Sequence, residues 1–174
     1  MKSTTGELGG FRWWHAVGIL IVANAASALP SGFGGDYDFY NSFRQPHVAP
    51  PDWAFAPVWL FLNVTSLVAL SRIANSPVRS SWRTWFLWSE GIGWVLFAAF
   101  TTLYFLLHSP VLGAVDTIAG LVVGLVSLAC ASQLDRAAAG FILLRVLWLV
   151  LASYVSVYIA LSNQDPFLGT GALL

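Results

Sequence analysis

Trp59, Asn63 and Ser66 stand at i, i+4 and i+7, and Trp148, Ala152 and Ser156 follow a similar helical spacing, i, i+4 and i+8, further along the chain. On a helix each set falls on one face, with a large aromatic ring above small or polar side chains. Two such faces turned toward each other leave a flat slot with an aromatic wall, and Phe97, Phe100 and Tyr104 can supply a third wall. A slot of this kind suits a planar conjugated molecule, because ring stacking adds about 0.5–1.5 kcal/mol per pair beyond the burial of area. The same residues also suit plain packing of a helix bundle, with small side chains letting the backbones approach.

Other chemistry finds little support. No nucleophile–base pair, phosphate-cradling loop or paired carboxylates can be made out. His15, His47 and His108 are scattered without ligand-like spacing, so a metal site built by the protein is not expected, although one imidazole can serve as an axial haem ligand. The single cysteine, Cys130, excludes an intramolecular disulfide and any cysteine-based zinc site.

Positioning these residues requires a membrane. Of the 174 residues, 57% are hydrophobic and only 9% charged, against roughly 25% charged in a soluble domain. The formal net charge is zero, which offers nothing to nucleic acid. A bilayer core of about 30 Å needs roughly 20 apolar residues per helix. Runs of that kind occupy residues 13–29, 53–70, 84–107, 111–131 and 138–161, which predicts an all-α integral membrane protein: one domain, residues 1–174, folded as a five-helix bundle. The first run is expected to be retained as a span rather than cleaved. The stretch 30–52 is long for a connection between helices and is therefore expected to carry function, with its Gly34–Phe39 part reading as plain loop. Pro46, Pro50 and Pro51 should stiffen its second half into a lid, while residues 32–35 stay mobile. Lys2, Arg12, Arg72, Arg79, Arg83 and Arg136 fall on one side of the spans and only Arg44 on the other, which predicts a cytoplasmic N terminus. Trp13, Trp14, Trp82, Trp85 and Trp88 read as interfacial anchors on that same side. Two charges lie within the spans. Glu90 and Arg145 each sit roughly 9–11 Å in from the same membrane face, so they are expected to pair as a structural strut.

From Gln45 to Asn63 the chain reads Q-P-H-V-A-P-P-D-W-A-F-A-P-V-W-L-F-L-N. This resembles the signature of the TspO/MBR family of tryptophan-rich sensory proteins, K-P-x-W-x-P-P-x-W-x-F-x-P-V-W-x-x-L-Y. Pro46, Pro50, Pro51, Trp53, Phe55, Pro57, Val58, Trp59 and Leu62 match in register, and Tyr40 stands where the family has a tyrosine ahead of the motif. Thr101–Phe105 followed by Gly113–Asp116 is similar to the family's P-P-I-F-F and A-L-V-D, and Trp148, Ala152, Tyr154 and Ser156 match its fifth-span pattern. Four places depart from it. Val48 replaces a tryptophan, Phe97 a third-span asparagine, Asn63 the motif's last tyrosine, and Leu144-Arg145-Val146 a Pro-Tyr-Leu, so the polar groups that would orient a ligand are altered.

The resemblance implies a membrane receptor or carrier for a tetrapyrrole, protoporphyrin IX or haem, acting in porphyrin regulation or transport in a bacterial or archaeal cell membrane, as a homodimer among lipids and with no obligatory cofactor. With the spacing argument it assigns the ligand site to Tyr40, Pro50, Trp53, Trp59, Asn63, Phe97, Phe100, Trp148 and Ala152. Two alternatives stay open. One is light-dependent porphyrin breakdown, for which the resemblance points to Trp59 and Trp148. The other is a structural subunit binding a carotenoid or lipid. The sterol-recognition pattern of mammalian members is missing, since no basic residue follows Tyr158.

Overall fold

The computed structural model describes residues 10–29 and 37–174. These form α1 (Trp13–Ala28), α2 (Tyr37–Asn41), α3 (Asp52–Ala74), α4 (Ser81–Thr101), α5 (Pro110–Leu134) and α6 (Arg136–Ser162), with a π-helical turn over Thr102–Leu106 closing α4. There is no strand among the described residues; one isolated bridge joins Asp165 to Thr170 in the C-terminal tail. Four helices, α3, α4 with its π turn, α5 and α6, are long and apolar enough to cross a membrane. The predicted five-span count is only partly met: α1 has 16 residues, which at 1.5 Å per residue reach about 24 Å of a hydrocarbon layer of roughly 30 Å. The chain is an all-helical integral membrane protein.

Sequence chemistry explains the ends of the long helices. Ser80 and Ser109 accept from the backbone N–H groups of Arg83 and Leu112 at 3.4 and 3.1 Å, and Pro110 opens α5, where its missing N–H costs nothing. Asp135 alone connects α5 to α6 and accepts from Ala137 and Ala138 at 2.9 and 3.1 Å. The Arg72 guanidinium, 2.8 Å away, is the main reason its carboxyl lies below the usual range, with these backbone donors adding to the effect. Arg83 donates to the Ile73 and Ala74 carbonyls at 3.2 and 2.7 Å and so satisfies the end of α3. Asn75 donates to the Phe11 carbonyl at 2.8 Å. These contacts gather the start of α1, the end of α3, the start of α4 and the α5–α6 turn at one end of the bundle, here the hairpin end. The described basic residues Arg12, Arg72, Arg83 and Arg136 stand there, with Trp13, Trp82, Trp85 and Trp88 exposed beside them. Lys2 lies outside the described residues.

Within the bundle α5 packs between α4 and α6, α3 lies along α6, and α1 lies along α4; α3 and α4 touch only sparsely. The hairpin-end core is mainly aliphatic, built on Leu67, Leu70, Ile73, Ile142 and Val146 around the ring of Phe86. At the opposite, loop end the buried cluster is Tyr40, Tyr104, Val155 and Ile159, with Phe39, Phe43, Phe55 and Phe100 packed on it.

The long loop corrects the sequence reading at one point. Residues 37–39, expected to be plain loop, belong to the short helix α2, which holds together because Phe39 packs edge-on to Tyr104 and Tyr40 edge-on to Phe55. Residues 30–36, including the glycines expected to be mobile, lie outside the described residues. The rest of the loop is fastened at both ends. Tyr40 donates to the Pro50 carbonyl at 3.1 Å, Gln45 to the Tyr40 carbonyl at 2.7 Å, and Asn41 to Asp52 at 2.8 Å. The Asn163 side chain meets both backbone groups of Arg44, accepting at 2.8 Å and donating at 3.0 Å.

Candidate ligand cavity

A cavity of about 310 Å³ opens where α3 and α4 part, and its size falls at the lower end of the roughly 300–1,000 Å³ typical of ligand pockets. Tyr40 and Pro50 lie over it from the loop. Trp59 and Asn63 face it from α3, Phe97 and Phe100 from α4, and Trp148 and Ala152 from α6. Eight of the nine residues assigned from sequence thus line a single space. Trp53 does not: its side chain is 70% exposed. It precedes Trp59 by six residues, about 240° around a helix, so it cannot share that face although it shares the motif.

The wall is continuous aromatic surface. Trp59 lies 5.3 Å from Phe97, Trp94 5.9 Å from Phe97, and Phe55 edge-on to Trp148 at 5.9 Å. Phe100 and Tyr104 stack with only 9° between their planes. Tyr104 sits in the π turn, whose extra residue per turn is how this end of α4 brings both Tyr104 and Phe105 inward. The turn is accommodated by Gly113, where a Cβ would come within 2.4 Å of the Tyr104 ring. His108, at a φ of 51°, then reverses the chain into α5.

The wall formed by α5 was missed from sequence. It consists of Asp116, Thr117, Gly120, Val123 and Gly124, a row of mostly small residues at helical spacing that carries no aromatic signal. The pattern Gly113, Thr117, Gly120, Gly124 was the clue available, since small residues mark close helix approach. Asn24, Ser27 and Ala28 of α1 complete the lining, and Ser27 bonds Thr101 of α4. Ser66, on the predicted α3 face, does not line the cavity. It accepts from Arg145 at 3.2 Å. Arg145 forms the floor and engages both carboxylate oxygens of Glu90, one from Nη1 at 3.0 Å and the other from Nη2. Glu90 is 1% exposed, and this fork-on-carboxylate geometry is what permits a charge to be buried at that depth.

Burial, with the nearby Asp52 carboxylate adding to it, pushes the Tyr40 phenol up to about 12, so at neutral pH it remains a donor to Pro50. Around the cavity several buried polar atoms have no partner among the described residues: Asn63 Nδ2, Trp94 Nε1, Tyr104 Oη, Asp116 Oδ1 and Trp148 Nε1. Buried polar groups are normally paired, so such a set around one space marks a place where something else supplies the partners. No group of three or more metal-ligating side chains occurs among the described residues.

The family model for TspO/MBR matches residues 16–161, which takes in every spanning helix and the lid. The chain belongs to the TspO/MBR family. It is also 24% identical over 125 residues to the Tryptophan-rich protein TspO of Chlorobaculum tepidum, an overlap covering 68% of this chain and 75% of that one. Of the positions that depart from the family pattern, Asn63, Phe97 and Arg145 line the cavity, whereas Val48, Leu144 and Val146 do not.

Proposed function

We propose that this TspO/MBR protein is a membrane receptor or carrier that takes a tetrapyrrole, protoporphyrin IX or haem, between α3, α4 and α6. The observation that carries the reading is the slot itself: Trp59 and Trp148 on opposite helices face one space, with Phe97, Phe100 and Tyr104 between them and the residue 37–52 lid above. A planar macrocycle gains ring contacts on such walls, and the buried polar atoms give its substituents fixed partners. The gathering of arginines at the hairpin end supports a cytoplasmic N terminus, the likeness to a Chlorobaculum tepidum protein supports a bacterial or archaeal membrane, and a homodimer is what the family resemblance suggests.

Titration of the detergent-solubilised protein with protoporphyrin IX, followed by tryptophan quenching and the Soret band, tests this. Trp59→Ala and Trp148→Ala should each weaken binding by about 1 kcal/mol or more. Unchanged affinity in both, with helicity intact, would overturn the site. A three-peaked carotenoid band on purification would favour the structural-subunit alternative instead. A second reading, light-dependent breakdown of the bound porphyrin, draws support from both tryptophans flanking the same space. Photobleaching in air at equal occupancy should then be slower in Trp59→Phe and Trp148→Phe than in the wild type.

A further inference from the structure

Glu90, Ser66 and Arg145 meet at one level of the bundle, each from a different helix. One helical turn nearer the loop end, three other side chains repeat that arrangement. Asn63 stands three residues before Ser66 on α3, Trp94 four residues after Glu90 on α4, and Trp148 three residues after Arg145 on α6. Because α3 runs opposite to α4 and α6, all three steps go in the same direction. All three side chains line the cavity, and Asn63 is 4% exposed.

What they present there is of one kind. Asn63 Nδ2, Trp94 Nε1 and Trp148 Nε1 are all N–H donors, all buried and all without an acceptor among the described residues. The nearest acceptors below them, the Glu90 carboxylate and the Ser66 hydroxyl, are engaged by Arg145. At the other end of the cavity, Asp116, six residues into α5 from the loop end, leaves a carboxyl oxygen with no partner among the described residues.

We infer that Asn63, Trp94 and Trp148 form a donor ring that receives an oxygen with no hydrogen of its own, a carbonyl or carboxylate, at the leading edge of a planar ligand. A hydrocarbon ring of the same shape leaves three N–H groups desolvated and unpaired, so it is rejected. The inference rests on the reading of the cavity as a slot for a planar molecule, and not on that molecule being a tetrapyrrole.

The probes are therefore three-ring aromatics of matched outline: anthracene, anthraquinone and anthracene-9-carboxylate, titrated against the full-length protein in detergent by tryptophan quenching. The wild type should bind the two oxygenated probes about tenfold or more tightly than anthracene, the scale of one to two hydrogen bonds gained in a buried site. Trp94→Phe and Trp148→Phe keep the ring and remove the N–H, and each should cut that preference severalfold while leaving anthracene affinity in place. Asn63→Leu should do the same, and if it does not fold the two phenylalanine variants decide. The indole N–H Raman mode of the wild type should shift on binding anthraquinone and not on binding anthracene. Preference for the carboxylate over the quinone assigns a charged acceptor and equal preference a neutral one. No binding by any probe, equal affinity for all three, or a preference unchanged in the variants overturns the donor ring. Protoporphyrin IX and the all-alkyl etioporphyrin form a second arm. Failure of both porphyrins, with the anthracene series still discriminated, removes the tetrapyrrole reading and leaves the ring standing.

Discussion

The two ends of this bundle are built on opposite principles. At the hairpin end, aliphatic side chains fill the space between helices, and the buried polar groups have partners: Glu90 with Arg145, and Ser89 with Ser127 at 2.8 Å. At the loop end the packing is aromatic and encloses a cavity. Every buried side-chain polar atom left without a partner among the described residues (on Asn63, Trp94, Tyr104, Asp116, Trp148, Ser153 and Ser162) lies on the loop side of the ion pair. Unpaired polarity costs stability, so the division teaches that the fold draws its cohesion from one end and carries its unsatisfied polar groups at the other.

The sharpest way to break the comparison is at the ion pair, which stands at the boundary between the two ends. Glu90→Gln or Arg145→Met strands the remaining partner and should destabilise the protein by about 3–5 kcal/mol, read from denaturant unfolding in detergent micelles. The double change should recover a large part of that loss. Strictly additive effects would mean that the pair contributes no coupling, and the hairpin end would lose its distinguishing feature.

A smaller effect is expected at the loop end from Gly113→Ala. The new methyl would lie 2.4 Å from the Tyr104 ring, so the π turn or the ring must shift. Overpacking of this kind costs about 1–3 kcal/mol, and here it should also disturb the stacked Phe100–Tyr104 pair and weaken porphyrin binding. The control is Gly91→Ala on α4, where a Cβ meets nothing within 4 Å. If Gly113→Ala melts and binds like that control, the π turn does not shape the cavity.

The mildest test concerns the lid. Tyr40→Phe removes the donor to Pro50 and should cost about 0.5–1.5 kcal/mol, read as faster hydrogen exchange over residues 41–52 with the hairpin end unchanged. The pH dependence follows in sign. The Tyr40 phenol is raised to about 12, so its bond holds throughout the range below that and is lost only as pH climbs through it. Lid exchange, corrected for its intrinsic rate, should be flat from pH 6 to pH 9; a step within that range would refute the assignment.

Much of this contrast was legible in the sequence, and the parts that were not share a cause. The long helices showed in hydropathy because each is apolar over its length, and residues 53–70 and 138–161 fall inside α3 and α6. The Glu90–Arg145 pair was legible because depth in a helix is a count of residues from its start. Trp53 was assigned to the site through its motif, and only the turn angle to Trp59 removes it. Helix α2 has five residues and exists through Phe39 and Tyr40 packing on distant rings, which no local pattern encodes. The α5 wall escaped because what it contributes is the absence of side chain at Gly120 and Gly124.

The single residue joining α5 to α6 has a mechanical consequence. With Asp135 ending one helix and capping the next, the two cannot slide past each other without breaking its bonds to Ala137, Ala138 and Arg72. The pair acts as a fixed rail. Any widening of the slot falls to the sparse seam between α3 and α4, while Arg72 holds the end of α3 to the same turn.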